Sequence, residues 1–272
     1  MTKISVEISV TSGKNLAPIL SALRQSESDP DSLEIVVVNS GKTPTVSDLC
    51  RNFKAREILE ECSLLQSRYL GVINSSGDFI LILDETRIPS PGLIHSLLAS
   101  PHNMMAFPEK NLGRGIINRL DGRDKDLVVR SSISISGRTS LIIPRFYSMP
   151  LIRQAFSAIR EKLTDDRFKK VVAKDDRIIF HEASRISGET VVVSEYPIFH
   201  MNDTDIFREF KKYSRYGSTS RILKGTEYEF MAGLSDKIRK FSSFRDFPLI
   251  LLYLLRGSAY AVGYYLYRGN TQ

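Results

Sequence analysis

Residues Ile4 to Val10 (ISVEISV) alternate polar and apolar side chains with the two-residue period of a strand, and Asn15 to Gln25 then set Leu16, Ile19, Leu20 and Leu23 on one helical face. This predicts a first βα unit. Glu34 to Val38 (EIVVV) is a β-branched run closing on Asn39, Ser40 and Gly41, as expected of a parallel strand buried on both faces that ends in a turn. Helices are predicted from about Val46 to Glu61 and over Leu64 to Ser75, with Ser76-Gly77 as a stop. Asp78 to Leu83 (DFILIL) predicts a third strand, which runs into Asp84-Glu85-Thr86. Three such repeats argue for a doubly wound α/β domain with a mostly parallel sheet, in which ligands bind at the carboxyl ends of strands. The loops after Val10, Val38 and Leu83 should therefore face one cleft.

The middle of the chain is less regular. Asn103 to Pro108 and Leu127 to Pro144 contain strand-like runs, and the Gly-, Arg- and Asp-rich stretch 113–126 between them reads as a mobile loop. Arg177 to Ser187 reads as a helix, Thr190 to Tyr196 as a short strand, and Thr204 to Leu223 as a long helix rich in Lys, Arg, Phe and Tyr. From Phe247 to Tyr267 the chain is nearly all apolar, broken by Arg256-Gly257-Ser258, and as a helix it would be about 30 Å long. Arg256 at its centre makes a simple membrane span expensive, so the aromatic residues with basic neighbours suit an interfacial helix. A buried or dimer-forming helix, and with it a homo-oligomer, is the competing reading.

Composition narrows the classes. The 272 residues are 42% hydrophobic and 25% charged, proportions of a globular chain. Two cysteines, Cys50 and Cys62, can build neither a disulfide framework nor a multi-cysteine zinc site, which favours a reducing compartment. The alternating start is unlike a signal peptide, so a cytoplasmic location is expected, peripheral on the cytosolic face of a membrane if the tail is interfacial. A net charge of +7 favours an anionic partner. No helix-turn-helix, zinc or aromatic-platform pattern points to nucleic acid, and no glycine loop has G-x-G-x-x-G or Walker spacing.

The strand end Asp84-Glu85 is the most informative local signal. Carboxylates delivered into a cleft suit a divalent cation together with substrate phosphates, although strands also end in Asp merely to cap a turn. The order of elements adds to it: strand, helix, EIVVVNSG, helix, QSRYLGVINSSGDFILILDE, then PSPGLI, and later KDDRIIFHEASRISGETVVVSEYPIFH followed by DIFREFKKYSRYG. Over roughly residues 4 to 217 this succession resembles the family 2 glycosyltransferases of the GT-A fold.

The resemblance implies a GT-A domain over residues 1–224, with 225–272 as a C-terminal helical extension. It implies a nucleotide-sugar donor contacted by Ser9, Val10, Thr11, Ser12, Asn39, Ser40, Arg68, Asp84 and Arg215. A divalent cation, Mn²⁺ or Mg²⁺, would be held by Asp84, Glu85 and His200. The acidic pair would supply the catalytic base, Asp176 with Asp175 as its rival and Glu182 as an outsider, for transfer with inversion to a glycan hydroxyl or a polyprenyl phosphate. Asn39 stands where the family often has Asp, and Thr86 where the second acid of Asp-x-Asp would be. These departures support the alternative of a catalytically degenerate binding or scaffold subunit on the same fold.

Overall fold

The computed structural model describes residues 2–26, 31–131, 143–188, 192–201, 204–232 and 247–266. The amino-terminal part runs β1 (Ile4–Val10), α1 (Leu16–Gln25), β2 (Leu33–Asn39), α2 (Pro44–Asn52), β3 (Arg56–Leu59), α3 (Leu64–Ile73), β4 (Phe79–Asp84), β5 (Arg87–Pro89) and α4 (Leu93–Leu98). There follow β6 (Met104–Ala106), β7 (Glu109–Asn111), α5 (Ile116–Ser131), β8 (Pro144–Ser148), α6 (Met149–Lys162), α7 (Asp165–Phe168) and α8 (Asp175–Ser187). The last described elements are β9 (Val192–Val193), β10 (Ile198–His200), α9 (Ile206–Ser220) and α10 (Phe247–Ala261), which continues as a π turn over Val262–Leu266.

A seven-stranded sheet has the order β3-β2-β1-β4-β8-β6-β9. The β3-β2-β1-β4 part is parallel, whereas β8 runs antiparallel to both β4 and β6. A small second sheet, β5-β10-β7, stands beside it. Because β1 connects to β2 on one side and pairs with β4 on the other, the strand order reverses at β1, which opens a crevice at the carboxyl ends of these strands. The expected doubly wound, mostly parallel architecture is what the chain adopts.

The alternation in β1 has a more particular consequence. Ile4, Val6, Ile8 and Val10 join one apolar layer with Leu16, Ile19, Leu20 and Leu23 of α1. Ser5, Glu7 and Ser9 face the other way, yet they are also buried. Those polar positions lie under α3, where burial demands partners: Ser9 Oγ donates to Glu7 Oε1 at 2.6 Å and meets Ser67 Oγ at 2.7 Å, while Arg68 Nη1 donates to Glu7 Oε2 at 2.7 Å. A second apolar layer, including Ile80, Ile82, Ile152, Phe156 and Ile178, covers the sheet beyond this polar strip.

Three sequence expectations need correction. The helix expected over 46–61 stops at Asn52, since Lys54 takes φ of 51°, and Arg56–Leu59 becomes an edge strand paired with Val36–Asn39. The stretch read as a loop at 113–126 is mostly α5. Its polar look misled because two of its acids, Asp121 and Asp124, point inward at Arg256 instead of outward at water. Of the run 127–144, residues up to 131 finish α5, 132–142 lie outside the described residues, and β8 begins at Pro144.

The carboxyl-terminal helix packs on α9 and α5. Gly217 and Gly263 permit the approach to α9: a Cβ on Gly217 would lie 2.0 Å from the Tyr260 carbonyl oxygen, and one on Gly263 would lie 1.8 Å from that of Ser214. Arg256 turns into the seam, bonding Glu209 Oε1 at 2.5 Å through Nη2 and 2.7 Å through Nε, Asp121 Oδ1 at 2.6 Å and Asp124 Oδ2 at 3.1 Å. Leu249 and Leu252 bury against Ile117 and Leu127 of α5. Phe247, Leu251, Leu254, Tyr265 and Leu266 stay exposed, and the helix is long and apolar enough to cross a membrane.

Candidate active site

The loops at the ends of β1, β2 and β4 interlock. Ser40 N and Oγ both donate to the Val10 carbonyl, at 2.8 and 2.9 Å, and Thr43 Oγ1 donates to that of Thr11 at 3.1 Å. From β4, Glu85 Oε2 accepts from Ser12 N at 3.0 Å, Ser12 Oγ at 3.0 Å and Gly13 N at 2.7 Å. Thr11 and Ser12 are exposed at this rim, and Ser40 is partly so. Ser9 and Val10 are buried beneath it, and Asn39 is buried too, its amide donating to the Thr43 carbonyl and to Glu57 Oε1.

Beside the rim lies a cavity of about 310 Å³. Asp84 reaches it from β4, and Asp175 and Asp176 reach it from the first turn of α8, so residues some ninety positions apart share one space. Local chemistry explains the second entry: Lys174 precedes α8 with φ of 71°, turning the chain so that the two acids open the helix, where its dipole favours negative charge. Below the cavity Arg68, 2% exposed, donates to Glu7 and to the Leu83 carbonyl, and lies 3.5 Å from Asp175 and 3.9 Å from Asp84. Arg68 thus ties the polar face of β1 to both acidic entries from underneath.

The two acids of the pair are not equivalent. The Asp175 side chain is only 8% exposed and bound to Arg68; burial, with Asp176 alongside, pushes its carboxyl up to about 6 against the pull of Arg68 and Arg145. The Asp176 side chain is 34% exposed, 3.9 Å from Arg145, and open to an incoming group.

Five cations, Arg68, Arg87, Arg145, Lys174 and Arg177, line this space against the three carboxylates Asp84, Asp175 and Asp176. Arg87 donates to Asp84 and, at 2.8 Å, to Glu109 Oε1, which Arg145 also meets at 3.3 Å. Burial alone would raise Glu109, but Arg87, Arg145 and Lys125 hold it well below the usual carboxylate range. Tyr213 and Tyr216 of α9 and Tyr260 of α10 complete the wall. The sequence reading passed over Arg87, Arg145, Lys174, Arg177 and Tyr260; the run Asp84-Glu85-Thr86-Arg87 and the residue directly before the acidic pair were the available signals.

His200 is drawn elsewhere. Lys125 Nζ donates to its Nδ1 at 2.6 Å, behind Glu109, and His200 does not line the cavity. Arg215 is exposed on α9 outside the cavity, and Glu182 is buried with Lys162 and Tyr228. Burial, then the charges of Arg87 and Lys125, hold the His200 imidazole well below its ordinary 6.5. The unfolded chain gains this proton as pH falls through 6.5 while the native chain does not, so His200 contributes stability above 6.5 that is lost in acid. Urea midpoints from pH 8 to 5 should fall more steeply for the native sequence than for His200→Gln.

The expected cation set of Asp84, Glu85 and His200 is not brought together. A hard divalent ion needs several oxygen ligands with lone pairs to give. Here Asp84 Oδ1 accepts from Thr86 N and Oγ1, its Oδ2 accepts from Arg87, Glu85 is committed to the first loop and His200 Nδ1 to Lys125. Among the described residues no group of three His, Cys, Asp or Glu is placed to hold a metal. As arranged, these residues do not fit the cation: Glu85 turns to the first loop, His200 turns to Lys125 outside the cavity, and Asp84 alone reaches it, held between Thr86 and Arg87.

No protein-family model matches the sequence, and no curated protein matches it. Solved structures do match in shape. Residues 1–349 of S. aureus TarS in complex with UDP-GlcNAc superpose with a TM-score of 0.56 at 12% identity, over 96% of this chain and 81% of that one. The mannosyltransferase PcManGT from Pyrobaculum calidifontis, with GDP-Man and Mn²⁺, gives 0.54 at 14%, over 97% and 73%. Glucosyl-3-phosphoglycerate synthase from Mycobacterium tuberculosis, with Mn²⁺, UDP and phosphoglyceric acid, gives 0.50 at 14%, over 81% and 78%. The chain shares the GT-A-type fold of these nucleotide-sugar glycosyltransferases.

Proposed function

We propose that on this GT-A-type frame the chain is a glycosyltransferase that takes a sugar from a nucleotide-sugar donor, with inversion, at a membrane surface. One observation carries the reading: the interlocked ends of β1, β2 and β4 adjoin a cavity where Asp84 meets Asp175 and Asp176. The donor's base and ribose fit the rim of Thr11, Ser12 and Ser40, at the crevice where such sheets bind nucleotides.

Charge that builds on the leaving diphosphate must be met where it develops. Arg87 and Arg145 stand there, fixed by Glu109 and Asp84. The neighbours PcManGT and the M. tuberculosis synthase hold Mn²⁺. This chain's residues, as arranged, do not fit such an ion, and the charge falls to the two arginines. An acceptor entering opposite the leaving group inverts the anomeric centre. Asp176 is the more open acid, and on that side it would take the proton of a hydroxyl acceptor.

A thermal-shift panel of UDP, GDP, CDP and dTDP sugars, with and without Mn²⁺ or Mg²⁺, tests this. A shift with one nucleotide, present without metal and abolished when Arg87→Gln and Arg145→Gln are combined, is the expected result. If no donor shifts the protein, the reading fails; if a donor binds but no acceptor is ever glycosylated, the chain is a binding subunit on the same fold.

Residues 225–272 serve in this reading as the extension that meets the cytosolic membrane face. The support is the exposed stripe of Phe247, Leu251, Leu254 and Leu266, with the exposed Ile206 and Phe207 and the basic Arg208 and Lys211 on the neighbouring α9. Replacing Leu251 and Leu254 together by Glu should leave folding intact, because both side chains face solvent. It should cut sedimentation with anionic vesicles at least tenfold; unchanged sedimentation would remove the membrane assignment.

A further inference from the structure

Three of the five cations at the cavity are spoken for. Arg68 has Glu7 and Asp175, Arg87 has Asp84 and Glu109, and Arg145 has Glu109 and Asp176. Lys174 and Arg177 differ: neither side chain makes an ion pair or a hydrogen bond among the described residues, Asp176 opposes their charge only through space, and Arg177 Nε is buried with no acceptor. Lys174 lies over the Tyr260 ring at 5.4 Å, and burial with the charge of Arg177 beside it brings its ammonium down to about 8. Burying charge without a counter-ion is costly. Two adjacent cations kept so, at the wall of a cavity, form a place for an anion.

Position says which anion. The rim residues Thr11, Ser12 and Ser40 do not line this cavity, whereas the first turn of α8 and Tyr260 of α10 do. The pair therefore shares the cavity with the acids and not the rim offered to the base and ribose. We propose that Lys174 and Arg177 form an acceptor subsite for a phosphate monoester. The proposal rests on the glycosyltransferase reading for its reaction but not for its anion site. Tyr260 belongs to the helix whose opposite face carries the exposed Leu251 and Leu254, so the cavity wall and that apolar stripe are two sides of one element.

The step balances without a base. A phosphate oxygen attacks the anomeric carbon, and the bond from that carbon to the donor diphosphate breaks with its electron pair leaving on the diphosphate. The products are a glycosyl phosphodiester and a nucleoside diphosphate. A phosphate monoester is mostly dianionic at neutral pH, its second pKa being about 6, so the attacking oxygen carries no proton to remove. Lys174 and Arg177 hold the phosphate by charge-assisted bonds. Asp176 then acts as a positioning residue through Arg145, 3.9 Å away.

Calorimetric titration of the full chain with farnesyl phosphate, farnesol and inorganic phosphate tests the site, with the donor panel run on the same proteins. Farnesyl phosphate should bind and farnesol should not. The affinity should weaken roughly tenfold in Lys174→Gln and in Arg177→Gln, as expected for losing one charged hydrogen bond, with the donor shift unchanged. Inorganic phosphate competing as well as farnesyl phosphate would point to a free phosphorylated acceptor; competing only weakly, it would assign the lipid-linked one. Arg177→Lys, which keeps the charge, should bind farnesyl phosphate better than Arg177→Gln, separating charge from folding. Equal binding of farnesol, or farnesyl phosphate binding untouched in both Gln variants, overturns the subsite. Loss of the donor shift in those variants also overturns it, by giving the pair to the donor diphosphate. Phosphate binding with no donor binding anywhere would leave the anion site standing while the transferase reading falls.

Discussion

Arg68→Met should cost about 3–5 kcal/mol of folding stability, because it leaves the buried carboxylate of Glu7 without its cation and loosens Asp175. In most domains a loss of that size is a large part of the whole. The penalty belongs to the orphaned acid, not to the strength of the pair, so Glu7→Gln together with Arg68→Met should recover more than half of it. Arg68→Lys keeps the charge but cannot serve Glu7, the Leu83 carbonyl and Asp175 from one planar fork, and should fall in between. Urea midpoints of the four proteins decide this. If Arg68→Met alone is as stable as the native sequence, the buried network under the cavity does not hold the fold.

A loss of similar size, about 3–5 kcal/mol, is expected for Arg256→Leu, although the change adds an apolar residue to an apolar helix. It strands Glu209, which is fully buried, together with Asp121 and Asp124. The helix should then part from α5 and α9, seen as early proteolytic cleavage before residue 247, and Tyr260 should leave the cavity wall with it. Adding Glu209→Gln and Asp121→Asn to Arg256→Leu should restore much of the protection. Cleavage no faster than in the native protein would mean that α10 is held by its apolar contacts alone.

Much of this fold was legible in the sequence, and particular residues show why. The β-branched run Glu34 to Val38 and the apolar Phe79 to Leu83 could only be strands buried on both faces, so the crevice at their ends followed. What the sequence hid was charge turned inward. Glu7 in an alternating strand looks solvent-facing until α3 is laid over it, and Asp121 and Asp124 make a helix look like a loop until Arg256 arrives from 132 residues onward to pair with Asp124. Arg256 itself read as an obstacle to membrane insertion, whereas its guanidinium is satisfied by three acids of the same chain. At the site, the convergence of Asp84 with the pair at 175 and 176 was foreseeable from element order. The direction of Glu85 was not, because only the structure reveals that the amides of Ser12 and Gly13 lie closer to it than any shared ion site.

That direction of Glu85 bears on how a nucleotide would be received. With its carboxylate gripping the first loop, and Ser40 gripping the same loop from β2, neither edge of the entrance can rearrange unless the other does. Recognition here would draw on preorganisation: little ordering entropy remains to be lost when the base arrives, so selectivity among nucleotides rests on the shape already present and not on closure around the guest.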